Sequence, residues 1–457
     1  MKERETLGSR LGFILLSAGC AIGIGNVWKF PYLVGKNGGG AFVLVYLFFL
    51  AVLGIPVMTM EFAMGRGSKK SPVRMYQELE KPGTGWHKHG MACLIGNVIL
   101  MMFYTTVAGW MLQYFVKTAA GQFAGLDPEG VGSVFKGMLA DPLYMLVAMT
   151  VIVVVGFFVC SRGLQRGLER VTKVMMLLLL GIMIILAVHS LFLKGGRAGL
   201  RFYLTPDFHK MVEIGIGNVI VDAVNQAFFT LSLGIGSMAI FGSYIGREHS
   251  LLGEAVNVGL LDTFVAITSG LIIFPACFAY KVEPNSGPGL IFITLPNIFN
   301  NMPLGRLWGS LFFVFMTFAA LSTVLAVFEN IMACVMDLTG WERDKTGVIC
   351  MACMFVLSLP CLLGFNVLSG IQPMGPDTGI MDLEDFIVSN LLLPIGSLIF
   401  VLFCTRSSGW GWEAFKNEAD AGAGLKVRDW MRIYMTYILP VIILAVLVVG
   451  LIPLFKK

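Results

Sequence analysis

Two short stretches stand out for what their backbones could do. Residues 19–26 read GCAIGIGN and residues 230–236 read TLSLGIG, each in the middle of a long apolar run. Glycine in a helix interior costs about 1 kcal/mol relative to alanine, so such clusters are places where a helix is easily interrupted. An interruption frees backbone N–H and C=O groups, and at membrane depth irregular backbone survives only where it lines a cavity. Freed carbonyls suit an ammonium group and a hard cation such as Na⁺, which takes oxygen ligands. The amino-terminal end of the second half-helix suits an anion such as a carboxylate. The chemistry indicated is capture of a zwitterion together with a cation. One such helix alone would be better explained by close helix packing. A matched pair, five segments apart, favours two broken helices around a binding site.

Catalysis has no comparable support. The five histidines are scattered, no HExxH occurs, and no catalytic constellation around a serine or cysteine nucleophile is recognisable, so no enzyme is expected.

The elements that must position these stretches are membrane helices. Of the 457 residues, 56% are hydrophobic and 13% charged, too few charges for the surface of a soluble protein of this length. Mean hydropathy is +0.80. Runs long enough to span a bilayer are predicted at about 11–33, 40–64, 90–117, 141–160, 167–192, 213–243, 250–280, 305–337, 346–364, 384–404 and 429–454. The reading is an all-α polytopic membrane protein in one domain with broken first and sixth segments. It divides into a first group at about 11–192, a second of opposite orientation at about 213–404, and an extra helix at about 429–454. The first run is too long for a cleavable signal and has no small-residue cleavage site after it. The nine cysteines lie in or beside apolar segments and predict no structural disulfide.

With the amino terminus inside the cell, about 20 of the 33 Lys and Arg fall on the inner side, which puts the carboxyl terminus outside a plasma or inner membrane. The basic loop at 66–88 then reads as a topology signal rather than a nucleic-acid site. Residues 283–303, with four prolines, predict an outer re-entrant hairpin; 408–425 predict a short inner amphipathic helix.

The stretches RETLGSRLGFILLSAGCAIGIGNVWKFPY, NGGGAFVLVYLFFLAVLGIP, EFAMGR, NQAFFTLSLGIG and FAALSTVLAV, in that order, resemble the bacterial neurotransmitter:sodium symporters, those with the leucine-transporter fold. The resemblance runs along nearly the whole chain. It implies ten core helices in two inverted repeats of five, plus one, and alternating access driven by a sodium gradient. It implies two Na⁺ ions and no organic cofactor. The first ion would meet the carbonyl of Ala21 and the side chains of Asn26, Thr230 and Asp262. The second would meet the carbonyls of Gly19, Ile22 and Ala319 and the hydroxyls of Ser322 and Thr323. Taken alone, those two hydroxyls would be expected to bond back to their own helix.

Asp262 departs from the pattern, falling where many relatives have a neutral Asn. A buried carboxylate needs a partner, and Na⁺ would supply it, which implies chloride-independent transport; Ala266, one turn on, lacks the hydroxyl of the chloride-binding pattern. Proton binding by Asp262 is the alternative, and with it a proton-coupled carrier.

The resemblance also implies an amino-acid substrate, because Gly23 stands where monoamine carriers have an Asp for the amine. The carboxylate would meet the amides of Ile24 and Gly25, the Tyr104 hydroxyl and Na⁺. The amine would meet the carbonyls of Ala21, Phe229 and Thr230, and Ser232. Cys20, Leu100, Tyr104, Phe229, Ile235, Val324 and Val327 would form an apolar wall for a neutral hydrophobic or aromatic side chain. Phe229 would also serve as a lid. Gate pairs would be Arg4 with Asp337 on the inside, beside Ser243 and Tyr244, and Lys29 with Asp385 on the outside. Glu61 and Asp222 also match family positions and read as structural. Relatives often carry a Pro ten residues after a Gly in the fifth segment; here Gly167 is followed by Leu177, which puts inner release by unwinding of that helix in doubt. A sensor or channel on the same scaffold is the reading of another class, but no continuous polar stripe for a channel is present.

Overall fold

The computed structural model describes residues 5–281 and 289–455. Among them the chain is helical throughout, with one isolated bridge, His249 to Ala423, in place of strands. Nine helices are long and apolar enough to cross a membrane, and a tenth span arises if a bent pair is counted as one. That pair is α1 (Arg10–Ala21) and α2 (Gly25–Lys36), bent by 54°. There follow α3 (Gly40–Ser68), α4 (Pro72–Leu79), α5 (Lys88–Ala119), α6 (Pro128–Ala140), α7 (Pro142–Ser161), α8 (Leu164–Leu191), α9 (Arg197–Leu204) and α10 (Phe208–Ile214). The second half holds α11 (Ile216–Thr230), α12 (Ser237–Gly242), α13 (Leu251–Ala279), α14 (Leu290–Asn300), α15 (Gly305–Thr339), α16 (Arg343–Leu363), α17 (Ile380–Thr405), α18 (Trp412–Ala419) and α19 (Trp430–Leu451).

The predicted spans differ from these mainly at their ends. The expected count of eleven is not reached because the sixth segment is two pieces of 15 and 6 residues, each too short to cross alone. Of the expected outer hairpin, α14 is helical, while Pro284 and Pro288 lie outside the described residues. The short helix expected within 408–425 is α18.

Burial ranks the helices. In α15 78% of the apolar window is buried, against 28% in α19, so α15 runs through the middle and α19 along the edge. The two broken helices lie inside with it. The first break follows Ala21: Ile22 is extended, with φ −73° and ψ 98°, and its N–H is the last to reach back into α1, to Ala18 O at 2.6 Å. The second break spans residues 231–236, where Ser232, Gly234 and Gly236 take positive φ of 51°, 92° and 69°. Gly234 is required twice over, since a Cβ there would also run into the backbone of Leu393 on α17.

The freed backbone groups find side chains. The Glu61 carboxylate accepts from the N–H groups of Gly234 at 2.6 Å and Met238 at 3.2 Å, at the start of α12. Asn97 Nδ2 donates to Ile235 O at 2.8 Å and Asn330 Nδ2 to Gly236 O at 3.4 Å. Gln226 Nε2 donates to Gly25 O at 2.9 Å and Ser269 Oγ to Asn26 O at 2.7 Å. The breaks are therefore built structures with their polar groups paired. Asp222 accepts from Lys36 and Asn37, each at 2.9 Å, a contact between α11 and the end of α2.

Arg66, at the start of the basic loop read as a topology signal, is 1% exposed. Its Nε donates to Glu418 on α18 at 2.7 Å, and Arg247 Nη2 reaches the other oxygen of that carboxylate at 2.5 Å. The cost of burying a guanidinium is offset by this shared carboxylate.

Candidate functional site

Where the breaks face α5, α15 and α17, they leave a small cavity of about 20 Å³. Its lining includes Cys20, Ala21, Gly23 and Gly25 from the first break, Phe229, Ser232 and Ile235 from the second, and Leu100 and Tyr104 from α5. Thr323, Val388 and Leu393 complete it. Nine of the thirteen residues proposed from sequence for the pocket are thus brought together. The other four are placed differently. Ile24 is outside the lining, and its amide donates to Tyr104 Oη at 2.9 Å. Thr230 faces Asp262. Val324 and Val327 are fully buried but outside the lining. Val324 lies beside Gly156 of α7. Val388 and Leu393 of α17 line the cavity and were not among the residues expected there.

The space over Gly23 is narrower than the sequence implied. A Cβ there would overlap the hydroxyls of Tyr104 and Thr323, so these two oxygens already approach the backbone as closely as glycine permits.

Two oxygen clusters flank the cavity. In the first, Asp262 is fully buried and its Oδ1 accepts from Asn26 Nδ2 at 2.7 Å and Thr230 Oγ1 at 3.1 Å. Its Oδ2 accepts from Tyr46 Oη at 3.3 Å. Asn26 Oδ1 accepts from the Gly23 N–H at 3.2 Å, which ties the side chain to the break. In the second, Ser322 Oγ lies 3.1 Å from Ile22 O and 2.9 Å from Ala319 O. Thr323 Oγ1 lies 3.3 Å from Gly19 O and 3.5 Å from Ile22 O. The two hydroxyls therefore reach across to α1 and do not bond only within α15. All five groups proposed from sequence for this cluster sit together. Both clusters are neutral or negative and rich in carbonyl, carboxyl and hydroxyl oxygen, the donor set a hard monovalent cation takes. No group of three or more His, Cys, Asp or Glu forms a transition-metal set among the described residues.

On one side of the cavity Lys29 Nζ meets Asp385 Oδ1 at 3.3 Å and Ser389 Oγ at 3.1 Å, and Ser389 also donates to Asp385 at 2.6 Å. The same ammonium stands 3.9 Å from the centre of the Phe229 ring, so it joins the ion pair to the aromatic residue that borders the cavity. On the other side, Arg4 lies outside the described residues. Asp337 Oδ2 accepts from the Ser71 N–H at 2.8 Å. Tyr244 donates to Glu329 at 2.8 Å, and Ser243 Oγ to Ile240 O at 2.6 Å. The fully buried Glu329 is held by Arg343 at 2.7 Å, and Glu5 lies 3.6 Å from the same guanidinium.

Sequence reasoning missed several of these residues. Tyr46 on Asp262, Glu329 with Arg343, and the α17 wall carried no signal of their own. Gln226 was inside a quoted motif without an assigned task. In the fifth segment, Gly167 lies in a wide helical turn, Leu164–Glu169, which opens α8. The end of this turn is bound to the chain before α1, through Gly8 N–H to Glu169 Oε2 at 2.8 Å and Ser9 Oγ to Glu169 Oε1 at 2.9 Å.

Comparison with known proteins accounts for the whole arrangement. The sodium:neurotransmitter symporter family matches residues 4–125 and 137–456. An uncharacterized sodium-dependent transporter of Bacillus subtilis (strain 168), YhdH, is 36% identical over 405 residues, 88% of each chain. An uncharacterized sodium-dependent transporter of Haemophilus influenzae is 30% identical across 98% of this chain and 99% of its own. The crystal structure of MhsT in complex with L-phenylalanine superposes with a TM-score of 0.88 at 36% identity, covering 98% of this chain and 100% of that one. The chain is a membrane transporter with that fold and belongs to the sodium:neurotransmitter symporter family.

Proposed function

We propose that this protein is a sodium-coupled symporter for a neutral hydrophobic or aromatic amino acid, working without chloride. The observation that carries the reading is the meeting of the two broken helices: a cavity with an apolar wall between two oxygen clusters, with Tyr104 and the Ile24 amide at one end. The apolar wall of Leu100, Phe229, Ile235, Val388 and Leu393 carries no charge and suits an uncharged side chain. The likeness to MhsT, whose structure holds L-phenylalanine, supports the same class of substrate. The α-carboxylate would replace Tyr104 as partner of the Ile24 amide, and the ammonium would take carbonyls of the breaks.

In this reading one Na⁺ binds Asn26, Thr230, Asp262 and the Ala21 carbonyl, and a second binds Gly19, Ile22, Ala319, Ser322 and Thr323. Asp262 supplies a negative charge beside the first ion, which removes the need for an anion from solution. Sodium binding ties α1 to α15 and orders the cavity; the substrate completes the first cluster. Lys29, Asp385 and Phe229 close the outer side, and movement of α1 opens the inner one. The two groups of five segments act as inverted repeats about the site, with the amino terminus in the cytoplasm.

The test is uptake of labelled phenylalanine, leucine, tyrosine and tryptophan into proteoliposomes, with an inward Na⁺ gradient, with choline for Na⁺, and with gluconate for chloride. Concentrative uptake that needs Na⁺ and ignores chloride is expected. Uptake equal in choline would overturn sodium coupling and favour a proton on Asp262; loss in gluconate would overturn chloride independence.

A further inference from the structure

Glu384 takes no part in the site described above. It lies on the first turns of α17, next to Asp385, and is 5% exposed. Among the described residues no nitrogen or oxygen donor reaches either of its carboxyl oxygens, and the one group placed to donate is the weak Cys361 thiol on α16. Beside that thiol stands the Thr106 hydroxyl of α5, whose contact is with Cys361 and not with Glu384. The other charges at hand on its own helix are Asp382 and Asp385, both acidic. The cation of the region, Lys29, is held by Asp385 and Ser389.

We propose that Glu384 is a proton-binding site whose proton is held while the Lys29–Asp385 pair is closed. An ionised carboxylate buried without a cation or donor is strongly disfavoured, whereas the neutral acid tolerates this setting and can donate. Asp385 and Glu384 are consecutive on one helix, so opening the pair moves both, and solvent then reaches Glu384 and takes the proton. The sign follows from linkage. The closed arrangement binds one more proton than the open one, so external acid favours closure and rising pH favours opening, by up to about tenfold per pH unit for one proton. The proposal rests on reading Lys29–Asp385 as the outer gate.

Cys20 lines the cavity and reports opening. Cells producing the full chain are treated with a charged, impermeant thiol reagent from outside, and Cys20 modification is followed against a Cys20→Ala blank across a pH series. The ratio of the wild-type rate to that of Glu384→Gln removes the pH dependence of the thiol and of every other group. The ratio is expected to be near one in acid and to rise with pH. Glu384→Met, neutral and of similar length, is the second variant should Gln fail to fold, and Glu384→Asp is expected to keep the wild-type trend. A flat ratio with either neutral variant overturns the proton site. Asp385→Asn, run alongside, should raise Cys20 modification at all pH; if it does not, the gate reading fails rather than the proton site alone.

Discussion

Replacing Asp262 by Asn separates the charge of this residue from its shape. Asp262 receives three donors: Asn26 Nδ2, Thr230 Oγ1 and Tyr46 Oη. In Asp262→Asn the retained oxygen faces Asn26 and Thr230, and the new amide nitrogen faces Tyr46, whose hydroxyl turns to accept. Every contact keeps a partner, so folding stability should change by less than about 1 kcal/mol. The charge is what is lost. Unit charges about 4 Å apart at an effective dielectric near 20 interact by about 4 kcal/mol. The remaining amide oxygen and the easier desolvation of a neutral group recover about half, leaving about 2 kcal/mol against Na⁺. That is about a 30-fold rise in the sodium concentration for half-maximal uptake or binding of labelled L-phenylalanine, at unchanged melting temperature. A half-saturating sodium concentration within about threefold of wild type, in protein that melts normally, would refute the assignment of Asp262 to a cation.

Three further substitutions, one with a paired control, test separate parts of the account. Ser322→Ala removes a hydroxyl that lies against Ile22 O and Ala319 O, and should raise half-saturating sodium about fivefold, worth about 1 kcal/mol, in the same assay. Glu61→Gln weakens the charge-assisted bonds to Gly234 and Met238 at the second break; thermal unfolding in detergent should show a loss of about 2 kcal/mol. Gly396→Ala places a Cβ on the Gly234 carbonyl and should leave little folded protein in the membrane by fluorescence-detected size exclusion, while Gly132→Ala, with open space around it, should behave as wild type.

The glycine clusters at 23–25 and 234–236 made the two breaks legible, because backbone freedom is a local property. Ser322 and Thr323 were legible only through their neighbours in FAALST; as isolated hydroxyls they would have been expected to bond within α15. The rest depended on packing between distant segments. Val388 and Leu393 of α17, which line the cavity, carried no signal in the sequence because their place there depends on how α17 packs against the breaks. The burial of Arg66 was not legible because its partner Glu418 is 352 residues away. Tyr46, in an unbroken apolar run, gave no hint that its hydroxyl ends on Asp262. The pairing of Lys29 with Asp385 was expected, but the approach of the same ammonium to the Phe229 ring depends on packing between distant segments.

The most direct test of coupling follows the ion itself. Labelled sodium entry into proteoliposomes of the purified protein would be measured with and without external L-phenylalanine, leucine, tyrosine or tryptophan. Coupled transport requires that at least one of these amino acids raise sodium entry above the leak in proportion to its own uptake, and that Asp262→Asn lose this stimulation at low sodium. Sodium entry indifferent to an amino acid that is itself being taken up would contradict the account.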